Sequence, residues 1–258
     1  MLEVVKSAVE KAGDFLFSNF GNIRQVISKG DRNLVTDLDR EAEKIIVDVL
    51  SKEFPEHGIL GEEAVRKDLD REFLWIIDPL DGTHNFIRGI DIFGVSAGLW
   101  HRGDFILGVV YFPKDRELYW AEKGKGAFKN GERILTSQVS ELKKASGCFD
   151  SAIRYSPQVM LKVLGELTKK CFNVRMFGSS VRSLTYLAEG KIDFTIEFYD
   201  RPWDFAGSVC IVKEAGGVFF DLKGNTPTPK TIGYVASTSK IYPQLRNILE
   251  VCGISNPE

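Results

Sequence analysis

The stretch that most constrains this chain runs from Trp75 to Phe86 and reads Trp-Ile-Ile-Asp-Pro-Leu-Asp-Gly-Thr-His-Asn-Phe. The run Phe73 to Ile77 has the aromatic and β-branched content of a buried strand, and two carboxylates, a glycine and a hydroxyl follow it at once. Pro79 has no N–H to add to a sheet ladder, so the strand is expected to end at Asp78, with Asp78 and Asp81 facing one cavity. Paired carboxylates on a rigid turn suit a hard divalent cation such as Mg2+, which takes oxygen ligands and keeps positions open for water and phosphate. Gly82 and Thr83 then open a helix or tight turn whose unpaired N–H groups can receive an anion. Asp-Pro and Asp-Gly are also ordinary turn punctuation, so this stretch alone leaves a metal site and a capped turn both open.

Three further acidic segments have a fitting character. Gly61-Glu62-Glu63 follows the apolar pair Ile59-Leu60, although adjacent glutamates are often just a solvated face. Trp203-Asp204-Phe205-Ala206-Gly207 sets an aspartate before the apolar run Val209 to Ala215, where it could equally cap a helix. Asn33-Leu34-Val35-Thr36-Asp37-Leu38-Asp39 is the third, with the same capping alternative.

In order and spacing these segments resemble the inositol monophosphatase family, within the Mg2+-dependent, often lithium-sensitive phosphatases that include fructose-1,6-bisphosphatases. The resemblance rests on Leu34-Val35-Thr36 with Asp39, Gly61-Glu62-Glu63, Trp75 to Thr83, Trp203-Asp204 with Ala206-Gly207, and Glu214-Ala215-Gly216-Gly217, and it covers essentially the whole chain. It implies an α+β fold, a layered αβαβα sandwich. It also implies that Glu62, Asp78 and the Leu80 carbonyl bind one Mg2+, that Asp78 bridges to a second held by Asp81 and Asp204, and that a third, weaker ion involves Glu62. The hydroxyl of Thr83, held by Asp39 and with Glu62 close by, would orient the attacking water; the N–H groups of Gly82 and Thr83 would carry the phosphate. Gly178, Ser179, Ser180, Glu197 and Asp204 would meet the substrate, a small phosphorylated polyol or sugar, with inositol-1-phosphate foremost. Relatives are often homodimers, and the same is expected here.

Two positions depart from the pattern. Lys29 matches a lysine of the family's metal-binding loop but stands one residue nearer to Asp39 than in the animal enzymes, and His84 replaces a second threonine and reads more simply as packing beside the helix start. Arg175, Arg182 and Arg201 flank the substrate positions and could hold a second phosphate. Fructose-1,6-bisphosphate, or a nucleotide such as 3′-phosphoadenosine 5′-phosphate, is therefore an alternative substrate. A non-catalytic regulatory protein is another reading, because a bacterial relative also acts as a partner of the transcription machinery.

The 34 basic and 36 acidic residues leave a formal charge of −2, which argues against a nucleic-acid or membrane-surface binder. Cys148, Cys171, Cys210 and Cys252 stand far apart without metal-ligand spacing and read as small buried hydrophobes in a reducing, cytoplasmic setting. The opening Met1-Leu2-Glu3-Val4-Val5-Lys6 lacks the pattern of a signal peptide, and no apolar run approaches membrane-spanning length.

Periodicity supplies the organisation. Val4, Val5, Ala8, Val9, Ala12, Phe15, Leu16 and Phe20 predict a helix stopped by Gly21, and Ala42, Ile45, Ile46, Val49 and Leu50 predict another from Asp39 to Phe54. Between them Ser28 to Asn33 reads as a polar, mobile loop. Phe93 to Phe128 reads as an antiparallel meander. Beyond Ser137 short β-like runs (Ala145 to Phe149, Phe194 to Phe198, Val218 to Asp221) alternate with helical ones (Val159 to Leu167, Val181 to Ala188, Val209 to Ala215). The expected division is an α+β half, residues 1–140, carrying most of the metal ligands, and an α/β half, residues 141–258, carrying Asp204 and the substrate residues. A site using both sets of acids must lie in the cleft between them.

Overall fold

The computed structural model describes the backbone of residues 1–21, 26–30 and 33–254, and the side chains of residues 1–21 and 37–254. Helix α1 (Leu2–Ser18) is followed by a hairpin of β1 (Val26–Gly30) and β2 (Asn33–Thr36), then by α2 (Asp37–Glu53). Next come β3 (Gly58–Gly61), β4 (Arg66–Lys67), β5 (Phe73–Asp81) and the short α3 (Thr83–Ile87). The meander follows as β6 (Gly94–His101), β7 (Asp104–Phe112), β8 (Glu117–Glu122), β9 (Gly126–Lys129) and β10 (Glu132–Ile134). The remainder is β11 (Ser146–Phe149), α4 (Pro157–Lys170), β12 (Asn173–Arg175), α5 (Ser180–Ala188), β13 (Phe194–Glu197), α6 (Pro202–Glu214), β14 (Gly217–Asp221), β15 (Tyr234–Thr238) and α7 (Tyr242–Val251).

Strands β3 to β10 form an eight-stranded sheet in the order β10-β9-β8-β7-β6-β5-β3-β4, and the others a five-stranded sheet in the order β12-β11-β13-β15-β14. Helices α1 and α2 cover one face of the large sheet through Val5, Ala8, Ala12, Leu16, Ala42, Ile46 and Leu50, spaced at helical period and wholly buried. Helices α5 and α6 pack between the sheets, with Phe205, Val209, Ile211 and Val212 in one apolar cluster with Ile76, Val110 and Tyr234. Helices α4 and α7 cover the outer face of the small sheet through Met160, Val163, Leu167, Leu245 and Leu249. The result is the layered αβαβα sandwich that the family resemblance implied.

Helix α6 is the element that positions the site. Every residue from Phe205 to Val212 is buried, as befits a helix with a sheet on either side. It can lie so close because glycines meet at the contact: a Cβ on Gly98 would stand 2.3 Å from the Ala206 carbonyl oxygen, one on Gly108 would stand 2.2 Å from that of Gly207, and one on Gly207 would stand 2.8 Å from the Ser96 Cβ. The Ala206-Gly207 pair of the sequence motif is thus a packing requirement.

The structure departs from the sequence reading in three places. Of the segment Ser28 to Asn33, read as a loop, residues 28–30 and Asn33 lie in paired strands, with Ser28 opposite Leu34 and Gly30 opposite Asn33, while residues 31–32 lie outside the described residues. Strand β5 does not stop at Asp78 but continues to Asp81, with Asp78 opposite Ser96 and Asp81 opposite Gly94. Two residues, Pro79 and Leu80, therefore face the single Val95, and this bulge absorbs the missing proline N–H. Periodicity also gave no sign of β12, β15 or α7.

Candidate active site

Each acid reaches the cleft by a traceable route. Strands β3 and β5 run parallel with Gly61 beside Ile77, and the Glu62 N–H donates to the Ile77 carbonyl at 3.2 Å, so Glu62 and Asp78 leave the same edge of the sheet side by side. The bulge in β5 then presents Asp81. Asp78 and Asp81 are only 1% and 6% exposed. Within the bulge the Leu80 N–H donates to Asp78 Oδ1 at 2.9 Å. Asp81 is held from the other side of the cleft, where the Ser180 N–H donates to its Oδ1 at 3.0 Å and the Ser179 hydroxyl to its Oδ2. Asp204, in the first turn of α6, accepts the Arg201 N–H at 2.6 Å. Asp204 is not the N-cap that the capping alternative would make it: Arg201 holds that position, and Asp204, three residues on, accepts its N–H from within the first turn.

The crowding has an electrostatic signature. Burial first, then Glu62, Asp81 and Asp204, push the Asp78 carboxyl well above the ordinary range. Burial raises Asp81 to about 6 against the opposing hydrogen bonds of Ser179 and Ser180. Burial, then Asp200 and Glu62, push Asp204 up strongly as well. Carboxylates that resist ionising in each other's company, beside a backbone carbonyl, form the hard-oxygen donor set that a divalent cation neutralises, so these residues fit Mg2+. Among the described residues, no group of three or more His, Cys, Asp or Glu side chains is already drawn closely enough together to hold an ion as it stands.

Beside the acids, Gly82 takes φ of 81° as it turns the chain into α3, and a Cβ there would meet the Ile92 carbonyl at 2.7 Å. The Thr83 hydroxyl lies 2.9 Å from the Leu80 carbonyl and 3.4 Å from Asp39 Oδ1. Its single proton can serve only one of these acceptors at a time. Asp39 is 1% exposed on α2.

Glu62, Gly82, Thr83, Gly178 and Asp204 line a cleft of about 900 Å3, together with Tyr155, Tyr199, Arg201 and Trp203. A smaller cavity of about 150 Å3 adjoins it, sharing Gly178 and lined by Asp81, Ser179, Ser180, Glu197, Asp150 and Asp200. Glu197 ends β13, is 6% exposed, and is pushed well up by burial and then by Asp200 and Asp150. Burial raises Asp200 to about 8, helped by Asp150 and Asp81. Asp150 is spoken for structurally, accepting the N–H of Ala152 at 2.6 Å and of Phe198 at 2.9 Å.

The sequence reading missed Asp150, Asp200 and Asn85. Asn85 ties α3 to the turn at Gly178, donating to the Phe177 carbonyl at 2.9 Å and to that of Gly178 at 3.2 Å. Of the three arginines proposed for a second phosphate, Arg201 lines the cleft, whereas Arg175 is not among its lining residues. Arg182 is 3% exposed, paired with Glu117 at 2.6 Å and Asp115 at 3.2 Å, with its guanidinium 3.4 Å from the centre of the Phe112 ring. Its place is in the core because helix α5 turns that face toward the large sheet. Arg154, unremarked in the sequence, lines the cleft instead. His84 is exposed and lines the cleft too. The Lys29 side chain lies outside the described residues.

The family model described as the inositol monophosphatase family matches residues 1–252. A Thermotoga maritima protein named fructose-1,6-bisphosphatase/inositol-1-monophosphatase is 35% identical over 93% of this chain and 92% of its own. The Nus factor SuhB of Escherichia coli is 34% identical over the same shares of the two chains, 93% and 92%. Among solved structures, an inositol monophosphatase from Thermotoga maritima superposes with a TM-score of 0.89 at 32% identity, covering 97% of each chain.

Proposed function

Since the chain belongs to the inositol monophosphatase family, we propose that its cleft hydrolyses the phosphomonoester of a small polyol, inositol-1-phosphate foremost, with Mg2+ held by Glu62, Asp78, Asp81, Asp204 and the Leu80 carbonyl. The observation that carries this reading is the meeting, on one cleft, of acids from β3, β5 and α6 that raise one another's pKa beside the Thr83–Asp39 pair. When bound, the ions would lower the pKa of a water and offset charge on the leaving oxygen. The chain's own part is placement. Thr83 offers a hydroxyl that can donate a hydrogen bond to the Asp39 carboxylate or the Leu80 carbonyl and accept one from water, which orients the nucleophile. Gly82 leaves room for the phosphate. Trp203, Tyr155 and Tyr199 wall the cleft. Glu197 and Asp200 present acceptors to hydroxyl groups in the adjoining cavity, a lining that favours a polyol over a second anion.

A bisphosphate is the second reading, supported by Arg154 and Arg201 on the wider cleft and by the double name of the Thermotoga maritima relative. Identities of 35% and 34% to relatives named as a phosphatase and as a Nus factor do not separate enzyme from regulatory protein. The carboxylate set supports the enzyme, since a scaffold without turnover has no need of it. Phosphate release from inositol-1-phosphate, fructose-1,6-bisphosphate and 3′-phosphoadenosine 5′-phosphate, with and without Mg2+, tests all three. No release from any of them would end the enzymatic reading.

A further inference from the structure

Glu43 is a buried carboxylate that the catalytic reading does not use. It stands one helical turn after Asp39 on α2, so the two side chains share a face of the helix. At 2% exposure Glu43 is as deeply placed as Asp39. Both of its oxygens are engaged by backbone: the Glu63 N–H donates to Oε1 at 3.0 Å and the Ala64 N–H to Oε2 at 2.9 Å. Those are the two amides directly after Glu62. The preceding residue is shaped to admit the carboxylate, because a Cβ on Gly61 would stand 2.0 Å from Glu43 Oε1. Glycine at 61 therefore reflects the close approach of Glu43, with its φ outside the left-handed region.

We propose that Glu43 is the positioning residue for Glu62: its carboxylate clamps the turn Gly61–Ala64 so that the Glu62 side chain is aimed at the metal site before any ion arrives. The inference rests on Glu62 being a metal ligand, as read above. One face of α2 then sets two parts of the site in fixed relation, Asp39 at the Thr83 hydroxyl and Glu43 at the Glu62 turn. A carboxylate suits this task because it accepts at both oxygens, and two charge-assisted hydrogen bonds to adjacent amides fix the direction of the chain between them. Residues that orient a metal ligand without touching the metal are typically worth about 10- to 100-fold in affinity or activity.

Glu43→Gln keeps the size and one acceptor but turns the other end into a donor facing an N–H. Titration calorimetry with Mg2+ alone should show affinity about tenfold weaker, while KM for the phosphomonoester stays near that of the wild type and circular dichroism confirms the fold. Gly61→Ala leaves Glu43 in the chain but forces its carboxylate away, and should weaken Mg2+ binding to a similar degree. In the metal-free wild type, hydrogen exchange at the Glu63 and Ala64 amides should already be strongly protected, a measurement that needs no variant. Unprotected amides there, or wild-type Mg2+ affinity in a folded Glu43→Gln or Gly61→Ala protein that has merely lost thermal stability, would overturn the proposal. Glu62→Gln keeps the two readings apart. If it binds Mg2+ normally, the ligand assignment falls; if it binds weakly while Glu43→Gln binds normally, only the positioning role falls.

Discussion

The two ends of the cleft are built from the same side chain and held in opposite ways. On the side proposed for the metal, Asp78 and Asp204 are anchored close by: Asp78 takes the Leu80 N–H two residues on, and Asp204 takes the Arg201 N–H three residues back. Asp81, anchored across the cleft by Ser179 and Ser180, joins the two ends. On the substrate side Asp150 is committed to backbone, but Asp200 Oδ2 is buried without a hydrogen-bond partner. Local anchoring fixes geometry for ligands that must meet an ion within tenths of an ångström. A carboxyl with one oxygen left unpaired is instead a standing demand for a partner, which a substrate hydroxyl can meet.

The largest test of this contrast is removal of metal-side charge. Asp78→Asn and Asp81→Asn should each lower Mg2+-dependent phosphate release by about 10³-fold or more, since the ions supply several kcal/mol of charge stabilisation. Circular dichroism should show an intact fold, because loss of one charge from a mutually repelling set relieves strain. Turnover at the wild-type rate in limiting Mg2+ by either variant would place the ions elsewhere.

A smaller effect is expected at the hydroxyl between the two ends. Thr83→Ala removes the group that can orient water but leaves the backbone that would carry phosphate, so kcat should fall by about 10² to 10⁴ with KM little changed. A raised KM at constant kcat would move Thr83 from the nucleophile to ground-state binding.

On the substrate side the loss should be smaller still and should depend on the substrate. Assayed at a pH where both carboxyls have ionised, Glu197→Gln and Asp200→Asn each remove a charged acceptor worth roughly 1.5 to 3 kcal/mol, or about one to two decades in kcat/KM for inositol-1-phosphate, while Mg2+ affinity is kept. For fructose-1,6-bisphosphate the same changes should be neutral or favourable, because acids near a distal phosphate repel it. Equal impairment of both substrates, or a shifted Mg2+ requirement, would dissolve the distinction between the two ends.

The same contrast explains what could be seen in the sequence. Asp78 and Asp81 announced themselves because strand, proline, glycine and hydroxyl are consecutive, and the hydrogen bond that shapes Asp78 closes within two residues. Asp204 was visible because a helix start has a sequence grammar, and α1, α2 and the meander were visible because they keep their periods, whereas their layering came from the family resemblance alone. Asp150 and Asp200 were not, since they meet only when β11 and β13 pair in parallel and bring Phe149 beside Ile196. Arg182 misled because its sequence neighbours face the cleft while its own side chain turns to Glu117 and Phe112. Strand β5 outran its proline because a bulge satisfies what the chemistry of one residue forbids.

The smallest predicted effect is on stability, and its sign follows from the raised carboxyls. Asp81 at about 6 and Asp200 at about 8 bind protons in the native state at pH values where the unfolded chain, with aspartates near 3.9, has released them. More protons on the native state mean that stability falls as pH rises, from about pH 4 until the native groups have ionised near pH 8. Asp78, Glu197 and Asp204 act in the same direction. The lowered carboxyls of Asp104 and Glu117 act only below the ordinary carboxylate range, and the lowered His57 opposes the trend only just beneath pH 6.5. Metal-free protein should therefore melt several degrees lower at pH 8 than at pH 5, each kcal/mol being worth about 2 °C in a chain of this size. Mg2+ binds the ionised carboxylates, so its stabilising shift should grow over the same interval. The two ends separate by window: Asp81→Asn should flatten the slope only between about pH 4 and 6, whereas Asp200→Asn should flatten it over the whole interval from about pH 4 to 8. A metal-free Tm that stays level or rises from pH 5 to 8 would mean that these carboxyls are not the crowded acids the cleft makes of them.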